Sequence, residues 1–286
     1  MKNPIRKIGL LLVTLSLLTV ASAQTNTDSA AGKNAAYDKA LLSAVVSLAD
    51  AHLLQTQHTL EILARTTEVQ SGQWKQMERL VSAAPPPALP QVLWFVQPDG
   101  TYYTSDGGLA RQKLTDRAYF PKLMAGATVC GDLVVSKSTG KKSVIIAVPV
   151  VKDGKTVGGI GASIFVDDLS QRLNDGLKLP TGSVFYALTT NAVTAFHINP
   201  KLDFVDPRQL DSPSLAQAVG TMLSQPSGEV TYEYNGTLRH MYFSTSPLTG
   251  WRVAFGRILP GAGASSAINP SAARTFRIVP AAGVAH

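Results

Sequence analysis

Apolar residues recur along this chain in two rhythms, and the switch between them falls near Pro85-Pro86-Pro87. Between Ala35 and Ala84, the positions Leu42, Val46, Ala49, Leu53, Thr56, Leu60, Leu63 and Thr67 follow one another at alternating steps of four and three. That spacing draws one narrow apolar stripe along a helix. A helix over 35–84 would extend roughly 75 Å. Gly72 is a point where it would weaken or kink. The three prolines end it, because proline lacks the amide donor and its ring blocks the preceding turn. The stripe fits two arrangements: it packs along the rest of the chain, or it forms the seam of a homodimer through the long helix.

After Gln91 the period shortens to two. Val92–Val96 and Thr101–Thr104 read as strands joined by Gln97-Pro98-Asp99-Gly100, where Asp-Gly supplies the positive φ of a tight hairpin. A loop from Asp106-Gly107-Gly108 leads to a short helix ending near Gly126. Strands follow at Gly131–Ser136, Ser143–Val151 and Thr156–Phe165, the last two joined by Asp153-Gly154. Asp167 opens a connecting helix to about Leu177. The pattern then begins again, with strands at Gly182–Leu188 and Ala192–His197, mixed loop and helix over Leu210–Leu223, and strands at Gly228–Tyr234, Leu238–Ser246 and Trp251–Arg257. The expected class is α+β: one long helix, then two units at 88–178 and 179–258, each an antiparallel sheet with flanking helices.

The ends add a compartment. Lys2, Arg6 and Lys7 precede an apolar run, Ile8–Val20, and Ala21-Ser22-Ala23 fits the small-x-small rule, so residues 1–23 read as a cleaved signal peptide and the protein as periplasmic. An uncleaved N-terminal anchor is the alternative reading. Residues 24–34 and 259–286 are polar or rich in Ala, Gly, Pro and Ser, and are expected to be disordered. No later segment is apolar for long enough to cross a bilayer, so any output machinery is expected on another protein. The net charge of +7 changes little: residues 1–23 hold three of the 26 basic residues and none of the 19 acidic ones. No basic cluster points to nucleic acid. The single cysteine, Cys130, excludes an intramolecular disulfide and reads as a small, half-buried position.

Candidate chemistry is sparse. There is no Gly-x-Ser-x-Gly elbow and no Cys or His pair at metal spacing. His52 and His58 stand six apart and read as solvated. Gly158-Gly159-Ile160-Gly161 lies inside a strand pattern, not before a helix, so it is no dinucleotide loop. Asp167-Asp168 reads as a helix cap. Asn235-Gly236-Thr237 has a sufficient explanation as a hairpin turn. His197, Asp203, Asp206 and Arg208 lie close in sequence; a site there is conceivable, but a solvated loop is the favoured reading. The expectation is no enzyme, no metal and no cofactor. What remains is a pocket: Arg117 offers a donor fork suited to a carboxylate, with Tyr119 and Phe120 on the same loop and Trp94 and Tyr103 on the first hairpin. The competing reading pairs Arg117 with Asp116 and sends the aromatics into the core.

The order Asp116-Arg117-Ala118-Tyr119-Phe120-Pro121, Ser136-Lys137-Ser138-Thr139-Gly140, Ala147-Val148-Pro149-Val150 and Val157-Gly158-Gly159-Ile160-Gly161-Ala162-Ser163-Ile164, closing at Asp168-Leu169, resembles the membrane-distal module of a double Cache (PAS-like) extracellular sensor. Pro247-Leu248-Thr249-Gly250-Trp251 resembles the closing strand of its membrane-proximal module. The resemblance spans about Tyr37–Arg257 and implies two PAS-like modules behind the long helix, with a small-molecule pocket in the first. It also implies a ligand class. Relatives that bind α-amino acids carry a tyrosine five residues before the arginine, and aspartates on later strands that hold the ligand ammonium. This chain has Gln112 at the tyrosine position, and Ser136 and Ser163 at the aspartate positions. A buried ammonium without a carboxylate partner is heavily penalised. The expected ligand is therefore a carboxylate, held by Arg117 and Lys113, or a neutral polar metabolite. The expected partner is a membrane receptor kinase, a chemoreceptor or, if the protein feeds a transporter, a permease. A dimeric interaction protein with no ligand is the third reading.

Overall fold

The computed structural model of the chain describes residues 12–83 and 87–260, with side chains described from residue 32 to 82 and from 87 onward. The first helix, α1, runs Leu12–Leu63, then two short helices follow, α2 (Thr67–Gln70) and α3 (Trp74–Ala83). The apolar stripe is real. Leu42, Val46, Ala49, Leu53, Thr56 and Leu60 are all buried, and α1 packs on strands and a helix of the same chain. A dimer through α1 would have to use its opposite face. The single helix expected over 35–84 is divided instead. Thr66 leaves the helix in extended conformation and its side chain accepts from the Val69 amide, so it caps a new helix. Gly72, at φ +69°, then turns the chain again. The segment 24–34, expected to be irregular, lies within α1. The basic start of the expected signal peptide, Lys2, Arg6 and Lys7, and the tail beyond Pro260 lie outside the described residues.

Eleven strands form two antiparallel sheets among the described residues. The first holds β1 (Gln91–Val96), β2 (Tyr102–Thr104), β3 (Gly108–Leu109), β4 (Val129–Val135), β5 (Lys142–Lys152) and β6 (Lys155–Phe165) in the order β3-β2-β1-β6-β5-β4. The second holds β7 (Ser183–Leu188), β8 (Thr194–His197), β9 (Ser227–Tyr234), β10 (Thr237–Thr245) and β11 (Arg252–Ile258) in the order β8-β7-β11-β10-β9. Apart from the short β3, the two orders are the same topology. Helix α4 (Phe120–Met124) follows the long loop of the first unit, α5 (Val166–Leu177) links the units, and α6 (Pro213–Ser224) belongs to the second. Asp167 lies in the first turn of α5, but the residue at the cap is Phe165 and no side-chain cap bond forms there.

Each sheet has an inner and an outer face. The inner faces (Val144, Ile146, Ile160 and Ile164 in one, Phe185, Ala187 and Phe255 in the other) join Leu53 and Leu60 of α1 and Leu169 and Leu173 of α5 in one shared core. Full burial of such side chains stabilises by roughly 1.5–3 kcal/mol each, and this makes the stripe fold inward. Two polar ties fix α1 along the second sheet. Arg257 grips Asp38 through Nε and Nη2 at 2.7–3.1 Å, and Ser246 donates to Asp50 at 2.7 Å. The outer faces carry two further cores, one per sheet, beneath loops and short helices.

Candidate functional site

The outer face of the first sheet is set by strand alternation. Trp94 pairs with Thr104 and Val96 with Tyr102 across β1 and β2, while Trp94 sits opposite Gly161 on β6. A Cβ at Gly161 would overlap the Trp94 indole, so only glycine lets the ring lie flat over β6. Gly158 and Gly159 likewise admit Phe95 and Leu123, which is the structural reason for the glycines in the segment that could be mistaken for a dinucleotide loop. Ser163 follows two residues later on the same face, opposite Ile145 on β5. Above the sheet passes the loop that carries Arg117 and Tyr119 into α4.

Trp94, Arg117, Tyr119, Ser136 and Ser163 come together around one hollow, with Tyr102 and Lys137 completing the wall. The Trp94 and Tyr119 rings are 6.1 Å apart and tilted by 31°. Tyr119 is buried, and burial raises its phenol pKa far above the ordinary value, so it stays protonated. Arg117 does not pair with Asp116. Lys137 takes Asp116 at 2.6 Å and also donates to the Lys113 carbonyl. That hydrogen bond, before the Lys137 charge itself, holds the Asp116 carboxyl below the usual range. Arg117 is left free to donate from Nη2 to the Val135 carbonyl at 2.7 Å, while its Nε is buried without a partner among the described residues. The enclosed volume is about 20 Å³, room for one water molecule.

Three expected site residues lie elsewhere. Tyr103 points to the other side of β2, where it stacks on Trp74 of α3 at 5.7 Å. Tyr102, its neighbour, takes the place over the hollow. The period of two, anchored at Trp94 and carried through the hairpin, contained that assignment. Phe120 belongs to the outer core with Leu123 and Val129. It follows Tyr119 into a helical turn, where successive side chains diverge by about 100°. Lys113 is exposed and bound to Asp99 at 2.8 Å; its hydrogen bond is the leading cause that lowers the Asp99 pKa to about 2. Ser136 is at the wall, but its hydroxyl already accepts from the Thr139 amide at 3.2 Å within its own loop. Lys137 was missed, because a lysine between two serines in a polar turn carries no mark of burial.

No carboxylate lines the hollow. Asp132 is the acidic residue on this face of β4, opposite Ile145. It is half-buried, and burial raises its pKa against the opposing charge of Lys122. Cys130, also half-buried, is one residue before the β-bulge of β4. Burial pushes its thiol up to about 11, so it is not a thiolate at neutral pH. His52 is not solvated as expected: it lies beside Arg172 and Gly176 of α5, its Nε2 is buried without a partner among the described residues, and burial, then Arg172, lowers its pKa. Among the described residues no group of acidic, His or Cys side chains is arranged to hold a metal ion.

No family model matches this sequence, and no curated protein is similar to it at the sequence level. Solved structures do share its fold. The extracellular domain of the putative histidine kinase rpHK1S-Z16 matches with a TM-score of 0.63 at 17% identity, over 84% of this chain and 97% of that one. The ligand-binding domain of the Pseudomonas fluorescens chemoreceptor CtaA, in complex with L-serine, matches with a TM-score of 0.61 at 11% identity, over 82% and 98%. An extracellular ligand binding receptor from Desulfohalobium retbaense matches with a TM-score of 0.59 at 14% identity; this chain covers 77% of itself but 40% of that protein's length. The class is thus settled at the level of fold. The chain has the double-module architecture of extracellular sensor domains, and the Cache-type fold implied by its motifs is the fold observed. Among the described residues, no helix is long and apolar enough to cross a membrane.

Proposed function

We propose that this protein is an exported small-molecule sensor whose first hollow takes a carboxylate or a neutral polar metabolite, not an α-amino acid. The observation that carries the reading is the state of Arg117: one guanidinium nitrogen rests on the Val135 carbonyl and Nε has no partner in a wall with no carboxylate. Such a wall suits an anion or a neutral acceptor. It leaves a ligand ammonium uncompensated. CtaA holds L-serine; the hollow here has serines and a lysine around its arginine.

The present volume is too small for a metabolite, so binding would open the wall. A ligand carboxylate would compete with Val135 for Nη2 and take the idle Nε, and the Ser136–Gly140 turn beside it would move. Ligand would shift the balance of the two states by no more than its differential affinity for them. A separate membrane partner, a kinase or chemoreceptor, would read the result. A solute-binding role beside a permease would use the same hollow.

Calorimetric titration tests this with the purified chain. Small mono- and dicarboxylates are expected to bind, with affinity reduced about tenfold or more in Arg117→Gln. Low-micromolar binding of several α-amino acids, lost in Arg117→Ala, would overturn the ligand class.

A further inference from the structure

The outer face of the second sheet has a hollow of its own. Its floor is Tyr186 on β7, His197 on β8, Tyr232 on β9 and Arg239 on β10, and its roof is the loop 198–212 with the start of α6. Strand register explains the floor: Tyr186 pairs with His197, and Arg239 with Tyr232, so all four side chains share one face. Because the two sheets have the same strand order, this hollow stands where the first one stands in its own unit. It encloses about 20 Å³.

Two N–H groups there, Arg239 Nε and His197 Nε2, have no protein acceptor among the described residues, although Arg239 also reaches the Tyr232 hydroxyl. Arg239 spreads over the Tyr234 ring at 4.9 Å, and its Nε is buried without a partner among the described residues. His197 is buried and stacked on Tyr186, with ring centroids 5.6 Å apart at 6°. Its Nδ1 accepts the Asn199 amide at 2.7 Å, so the ring proton sits on Nε2, where no protein acceptor is found among the described residues. Burial, then Arg239, lowers its pKa to about 4, so the ring is neutral at neutral pH. Apart from Thr194 and Tyr234 the remaining wall is aliphatic, including Leu202, Val205 and Leu215. No acidic residue lines the hollow. On the roof loop, Asp206 is committed to Arg208 at 2.7 Å, and Asp203, between Leu202 and Val205, is buried, with a pKa raised to about 7 chiefly by burial.

The roof is a single loop with its own conformational tension. Phe204 sits at φ +63°, a region that costs a bulky side chain on the order of 1 kcal/mol or more. Four lining residues, Leu202, Val205, Pro207 and Leu210, come from this one loop, so one displacement would enlarge the hollow.

We propose that this second hollow is a ligand site in its own right, taking a small monocarboxylate with an apolar body: Arg239 and His197 Nε2 would hold the carboxylate, and the tyrosines and aliphatic loop the body. It stands independently of the first hollow.

The test uses benzoate and isobutyrate as probes and benzamide as the neutral counterpart of benzoate, with the histidine ring signals of the full chain followed by NMR. His197 is identified as the signal missing from His197→Gln. Either acid is expected to move that signal saturably while leaving His58 in place, and benzamide to act at least about tenfold more weakly. Arg239→Gln should weaken benzoate about tenfold or more. In Arg117→Gln the His197 response should persist, whether or not the first hollow binds anything. The proposal fails if neither acid moves the His197 signal saturably, if benzamide equals benzoate, or if the response is lost in Arg117→Gln and kept in Arg239→Gln. Should Arg239→Gln not fold, the difference between benzoate and benzamide decides.

Discussion

The two units have one strand order and place a hollow on the same face of each sheet, yet they fill it differently. In the first, the arginine arrives on a loop, at Arg117, and is surrounded by serines and Lys137. In the second, the arginine rises from a strand, at Arg239, and faces tyrosines and aliphatic side chains. The inner faces show no such divergence: both are apolar and both are sealed by α1 and α5. A covered outer face is therefore a property of the fold, and which ligand it suits is a property of a few side chains placed on it. A sheet with one face already committed to a core leaves the other free to be shaped by loops.

Removing the indole on which the first hollow rests breaks the comparison most severely. Trp94 is buried over Gly161, so Trp94→Ala should cost about 3–5 kcal/mol in urea unfolding. Gly161→Ala, which adds a methyl group into that ring, should cost roughly 1–3 kcal/mol. If Gly161→Ala unfolds like the parent, the close approach of β6 to Trp94 is not what places the ring.

A pH profile sharpens the comparison at the junction between the units. Asp203 sits on the roof loop of the second hollow; it is buried, with the His197 backbone amide and the Asp167 side chain beside its carboxyl. Its backbone carbonyl accepts from Lys142 of the first sheet at 2.7 Å. Burial, then the charge of Asp167, pushes its pKa up from 3.8 to about 7. A carboxyl raised in this way holds its proton in the folded state after the unfolded chain has lost it, so it makes stability fall as pH rises from about 4 to about 7. His197 acts oppositely. Its pKa drops from 6.5 to about 4, so it makes stability rise with pH over that window. The two slopes oppose, and the parent should show a shallow profile between pH 4 and 6.5. Asp203→Asn should steepen the rise and add on the order of 2 kcal/mol at pH 8. A profile unchanged by Asp203→Asn would mean the carboxyl titrates normally.

Smaller effects probe how α1 is shared. Asp38→Ala removes the two-nitrogen grip of Arg257 on α1 and should cost about 1–2 kcal/mol by thermal or urea unfolding. Tyr232→Phe removes a long, 3.4 Å hydrogen bond to Tyr186 and the contact of the same hydroxyl with Arg239, and should cost about 0.5–1.5 kcal/mol. A larger loss there would show the tyrosine pair to be a structural network rather than the wall of a site.

Much of the architecture was legible in one dimension. The stripe from Leu42 to Leu60 named the buried face of α1, because a helix repeats its faces locally. Asp99-Gly100, Asp153-Gly154 and Asn235-Gly236 marked hairpins, because their turns demand left-handed backbone within two residues, and Gly100, Asp153, Gly154, Asn235 and Gly236 all adopt it. Arg117, Tyr119, Trp94, Ser136 and Ser163 were found to share one place. The break at Thr66 was not foreseen, since the apolar stripe continues to Thr67 and a lone threonine cap is a weak mark against it. Tyr103 and Tyr102 were interchanged, because the assignment lies in the period of two carried from Trp94 through the hairpin, and not in the two tyrosines themselves. His197 and Asp203, read from the sequence as part of a solvated loop, are buried, and nothing in the sequence connected His197 to Arg239 and Tyr186.

Sequence alone determined the class, the two-unit order and the loop that carries Arg117, because helix period, strand period and turn chemistry are written in neighbouring residues. Tertiary structure decided what each charge meets: Asp116 turned to Lys137 rather than Arg117, and Arg239 came to lie beside His197, 42 positions away. Such pairings depend on register between strands that are distant along the chain, and register is settled by packing the whole sheet at once.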